Sequence, residues 1–162
     1  MAKKTNKTPK ELSRQIRTDI GASFKDKTLW NMVGREAVSM IRANLSLGKG
    51  TDGELGQVEK FQDVSPSYGK YRKPSSPLAP KRGFKSKLIH SGKMFRDMSW
   101  KAHNFKTKLG FKTKRSAEIA KYHDKDGAGK SKVLRPFFNI SKTQFNLLQR
   151  LMKKFIDKNL KK

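Results

Sequence analysis

Few residues in this chain are suited to chemistry. Gly127-Ala128-Gly129-Lys130-Ser131 ends like a phosphate-binding loop, in which backbone N–H groups cradle phosphate and a Lys reaches its oxygens. That pattern also wants a Gly five residues before Gly129, where this chain has Asp124, and the loop should leave a buried strand and enter a helix. Here a Lys-rich stretch precedes it and Val133 to Pro136 follows, so the expectation is a flexible turn and no nucleotide site. His123, Asp124 and Asp126 are crowded into the same Lys-rich turn and lack the spaced frame of a metal site, so a solvated turn is expected there too. His90 and His103 have no Ser and acid in suitable relation for a triad. With only 13 Asp and Glu in 162 residues, paired carboxylates for general acid–base work are poorly supported. The expectation is a protein that is not an enzyme and takes no metal or cofactor.

The charge points to a partner. Lys and Arg number 39, giving a net charge of +26, and the field of such a surface draws in polyanions. From Lys81 to Arg115 only Asp97 opposes the basic residues, so a folded surface must carry the charge. The absence of cysteine excludes disulfides, thiolate zinc sites and Cys nucleophiles. Met1 to Lys10 is polar and charged, and no window approaches the roughly 20 apolar residues of a membrane span. A soluble protein without an export signal or membrane contact is expected.

The elements that must position these residues follow from periodicity. Thr8-Pro9-Lys10-Glu11 has the form of a capping box, and Leu12, Ile16 and Ile20 repeat every four residues up to Gly21. A short helix over residues 9–20, within a basic N-terminal arm over residues 1–25, is expected. A single α+β domain over 26–162 follows. Its long helix begins near Asp26, with Leu29, Val33, Ala37, Met40, Ile41 and Leu45 on one face and Asn31, Arg35, Ser39 and Arg42 opposite, and Gly48 and Gly50 end it. Residues 48–87, rich in Gly, Ser, Pro and Lys, read as an extended loop or arm without regular structure, either one that reaches a neighbouring subunit or a floppy insertion with no role.

Ser91 then caps one or two helical turns through Met98. Phe105, Thr107, Leu109 and Phe111 alternate with Lys106, Lys108, Gly110 and Lys112, the period of a strand with one wet face, in a hairpin or meander with Ala102 to Asn104 on its first arm. Residues 116–122 fit a helical turn or a strand, and Val133 to Phe138 reads as a strand whose Pro136 prefers an edge. Ser141-Lys142-Thr143-Gln144 is a capping box for a C-terminal helix over residues 142–158, with Phe145, Leu148, Leu151, Met152 and Phe155 as its apolar stripe. Trp30 and Trp100 fall at core positions. The whole is an α+β fold, a small antiparallel sheet packed against a long N-terminal-half helix and a C-terminal helix.

The order of the second half carries a resemblance. Leu88-Ile89-His90-Ser91-Gly92-Lys93-Met94, a basic alternating strand, Ala120-Lys121-Tyr122-His123 with Asp126-Gly127, then Arg135-Pro136-Phe137-Phe138 leading through Ser141 into a terminal helix resembles the phage virion-morphogenesis or tail-completion family. The resemblance implies an α+β subunit of the virion that assembles into a ring, commonly hexameric, with other neck and tail proteins at the head-proximal end of the tail. It implies no catalysis. Ser91, Gly92, Tyr122, His123, Arg135, Pro136 and Phe137 carry the family pattern. The chain departs from it in placing Tyr122 directly before His123, in Asn139, and in its positive charge.

Two function classes remain open. One is a neck or tail-completion ring acting by protein–protein contacts around the DNA conduit, with Lys106, Lys108, Lys112, Lys114 and Arg115 as a basic face toward DNA or an acidic partner. The other is a basic nucleic-acid-binding protein, ribosomal or associated with packaging. Sequence-specific reading is not expected, because no helix-turn-helix, zinc finger or RNA-binding signature appears.

Overall fold

A computed structural model describes residues 9–51, 55–61, 93–127 and 134–160. In chain order its elements are α1 (Pro9–Lys25), α2 (Lys27–Ser46), β1 (Lys49–Thr51), β2 (Val58–Lys60), α3 (Lys93–Asp97), β3 (Met98–His103), β4 (Lys106–Phe111), α4 (Lys114–Lys121), a π turn (Tyr122–Asp126) and α5 (Lys142–Leu160). The fold is α+β, as expected, but among the described residues the strands form two separate two-stranded antiparallel sheets, β1–β2 and β3–β4.

Helix α2 is the spine. The Asp26 carboxylate accepts from the Thr28 amide at 2.7 Å and caps its start. Gly48, at φ 68, follows its end and donates to the Leu45 carbonyl at 3.0 Å. Leu29, Val33, Ala37, Val38, Ile41 and Leu45 are buried along one face, which bridges two apolar clusters. In the first, Val38, Ile41 and Leu45 meet Met94, Met98, Ala120 and Phe137. In the second, Leu29, Val33 and Ala37 meet Leu148 of α5, flanked by Leu151, Met152 and Phe155. Leu109 and Ile140 touch both clusters and join them.

The terminal capping box forms as read. The Ser141 hydroxyl accepts from the Gln144 amide at 3.3 Å, and the Gln144 side chain accepts from the Ser141 amide at 3.0 Å. Helix α5 packs on both α1 and α2. Of its expected stripe, Leu148 is buried and Leu151, Met152 and Phe155 pack against the second cluster, whereas Phe145 is 40 % exposed.

Several expectations are corrected. Helix α1 does not stop at Gly21 but runs to Lys25, because a single open-sided Gly costs a helix only about 1 kcal/mol and no proline follows. The stretch 48–87 is not structureless throughout: β1 and β2 pair through Lys49↔Lys60, Gly50↔Glu59 and Thr51↔Val58. Residues 134–138 form no strand. Their amides are satisfied off-ladder, Arg135 donating to the His123 carbonyl at 2.7 Å, and Phe137 and Phe138 to the Asp124 carboxylate at 2.9 and 3.3 Å. The expected Thr8 cap, the Ser91-Gly92 turn, most of the arm and residues 128–131 of the glycine-rich turn lie outside the described residues.

Candidate functional site

The β3–β4 hairpin pairs Met98↔Phe111, Trp100↔Leu109 and Ala102↔Thr107 on one face, and Ser99↔Gly110, Lys101↔Lys108 and His103↔Lys106 on the other. The first face packs on α2. Gly34 makes that approach possible, since a Cβ there would lie 2.5 Å from the Trp100 indole and 2.6 Å from the Thr107 hydroxyl. The tip, Asn104-Phe105, is tied down by the Phe105 amide donating to the Phe24 carbonyl at 3.2 Å. Phe105 sits there at φ 63 and is 55 % exposed, so it belongs to the turn and not to the strand's apolar face.

The base of the hairpin is clamped from two sides. Arg42 donates to the carbonyls of Phe95 at 3.1 Å, Arg96 at 3.3 Å and Met98 at 2.9 Å, covering the end of α3 where carbonyls lack helical partners. Its guanidinium also lies 5.5 Å from the Phe95 ring centroid. On the other side the Asp97 carboxylate accepts from the hydroxyls of Thr113 at 2.6 Å and Ser116 at 2.5 Å, while Thr113 caps α4. Those two hydrogen bonds, Ser116 first, hold the Asp97 carboxyl below the usual carboxylate range, aided by Lys93 and Lys112.

The wet face is strongly cationic. Lys101, Lys106 and Lys108 are exposed around half-buried His103. Partial removal from water lowers the His103 pKa first, and Lys101, Lys108, Lys106 and Lys27 lower it further. Of the basic residues expected to form one face, the fold gathers Lys106 and Lys108 there. Lys112 lies past the strand beside Asp97, and Lys114 and Arg115 open α4, where Lys114 pairs with Glu118 at 4.0 Å. Sequence reasoning missed Lys101, His103 and Lys27. A two-residue turn at Asn104-Phe105 is the signal that would have set Lys101 opposite Lys108.

Of the residues that carry the resemblance, those from Tyr122 to Phe137 lie elsewhere in the described structure. The His123 backbone joins that of Arg135, Phe137 is buried in the first cluster, and half-buried Pro136 faces Gly50; Tyr122 is 56 % exposed. Burial, then Arg135, pushes the His123 imidazole pKa down. A cleft of about 270 Å³ opens beside this junction, with Glu59, Lys60, Phe61, Asp124, Leu134 and Pro136 among its lining residues. Among the described residues no three His, Asp or Glu gather where they could hold a metal ion, and no helix is long and apolar enough to cross a membrane. Comparison with protein-family models, with curated proteins and with solved structures finds no match.

Proposed function

We propose that this chain is a non-enzymatic structural subunit of a phage particle, a tail-completion or neck protein that forms a ring at the head–tail junction and works by protein–protein contacts around the DNA conduit. The observation that carries the reading is the exposed basic face of β3–β4, held on a rigid two-cluster core. Such a surface would attract the polyanion inside a ring, and the remaining surface is left for neighbouring subunits and other neck and tail proteins. The order of motifs from Leu88 to Ser141 supplies the family side of the proposal.

The test is assembly. The purified chain should run in solution as a closed oligomer whose mass is unchanged by nuclease, since a protein–protein ring needs no polyanion to persist. Exchanging Lys106 and Lys108 for Glu should block head–tail joining while melting stays near wild type, because exposed strand residues contribute little to packing. An assembly that dissolves when nucleic acid is digested favours the second reading, a basic nucleic-acid-binding protein, which the net charge of +26 supports.

A further inference from the structure

The wet face of β3–β4 is electrostatically frustrated. Lys101 stands opposite Lys108, and like charges directly across a strand pair repel, while His103 stands opposite Lys106, which disfavours its protonation. No described carboxylate pairs with Lys101, Lys106 or Lys108; the ion pairs Lys114–Glu118 and Lys121–Asp126 lie on α4 and the π turn. The backbone that carries these groups is held in place, because the other face of the ribbon packs on Gly34 through Trp100 and Thr107. Alternate strand residues repeat at about 6.8 Å and paired residues lie about 5 Å apart. Duplex DNA carries one negative charge about every 1.7 Å of its axis, so cations this closely grouped on one ribbon face can meet several phosphates at once.

We propose that Lys101, His103, Lys106 and Lys108, with Lys27, bind the phosphate backbone of duplex DNA without sequence preference, and that protonation of His103 tightens this contact. The proposal deepens the reading above and rests on it for where the DNA is met. Lysine is a flexible point charge that reaches phosphate oxygens but does not read base edges, which makes the contact sequence-neutral. Without DNA, Lys101, Lys108 and Lys106 from the hairpin and Lys27 from α2 each disfavour the charged imidazole of His103. A phosphate laid across the face reverses that field and favours the imidazolium. Binding therefore takes up a proton and strengthens as pH falls.

Fluorescence anisotropy of the full chain with a labelled mixed-sequence duplex, read from about pH 8 to about pH 5.5 at fixed salt, tests this. Affinity should rise on acidification, about tenfold for each unit by which binding raises the His103 pKa. His103→Gln should flatten the profile, and His103→Lys should bind at high pH as the wild type does at low pH. Lys101→Gln with Lys108→Gln should make the salt slope shallower by roughly 0.9 per lost phosphate contact. A wild-type profile that His103→Gln leaves unchanged overturns the role of His103, and polyglutamate binding as tightly as DNA overturns the nucleic-acid assignment. The two readings fail separately: a monomer with this pH-dependent DNA binding removes the ring and keeps the inference, whereas a ring indifferent to DNA does the reverse.

Discussion

Gly50 meets the carbonyl of Pro136 so closely that no Cβ fits between them, and the same Cβ would lie 2.6 Å from the Phe61 ring. The contact is backbone to backbone, so no side-chain rotation can relieve it. It seats the β1–β2 hairpin on residues 134–141, helped by Asn139 donating to the Thr51 carbonyl at 3.4 Å and Leu55 to that of Ile140 at 3.1 Å.

Gly50→Ala should therefore separate β1 from the Pro136 segment and destabilise the chain by about 1 to 3 kcal/mol or more, the range for overpacking a filled site. Gly21→Ala, where nothing lies within 4 Å, should do the opposite and stabilise α1 by up to about 1 kcal/mol. Urea unfolding of the two variants measures both. Equal stability of the two would remove the close approach as the reason for Gly50.

Arg42 shows a different kind of dependence. Its planar fork reaches three carbonyls at the α3–β3 junction at once, a geometry that an ammonium on a flexible stem does not reproduce. Arg42→Met should cost about 2 to 3 kcal/mol by leaving those carbonyls poorly satisfied, and Arg42→Lys should recover less than half of that. Hydrogen exchange should show the loss first at the amides of β3. A fully rescued Lys variant would mean that charge alone matters at this site.

How far residues disclosed this fold depended on how local the cause was. The α2 and α5 stripes, the Asp26 and Ser141 caps and the alternation of β4 were legible because each rests on spacing within one element. Arg42 was read as a wet-face residue, since its partners lie more than fifty positions away and only the packed fold brings them near. Residues 133–138 read as a strand from composition, yet a ladder also needs a neighbour, and the Asp124 carboxylate took the amides instead. Gly50 was taken for a helix stop, which explains a glycine near Gly48 but not the tight contact. The basic face was half legible: alternation exposed Lys106 and Lys108, while Lys101 and His103 needed the register of the turn.

Acid should weaken the fold in two stages. His123 is the first group: burial and Arg135 keep its folded pKa below the unfolded value near 6.5, so the unfolded chain takes up a proton first. A depressed pKa gives stability that is present above the unfolded value and lost as pH falls through the folded one. His103 in the absence of DNA has the same sign. Asp97 is the second group, with its carboxyl held low by Ser116 and Thr113, so its contribution is present above the unfolded value of about 4 and disappears below it. Urea midpoints should fall from about pH 7 to about pH 5, then fall again below about pH 4. His123→Gln with His103→Gln should flatten the first stage and leave the second. Asp97→Asn should remove the second and lower stability at neutral pH, where the ionised carboxylate accepts from both hydroxyls. A first stage that survives loss of both histidines would place its origin in groups other than these.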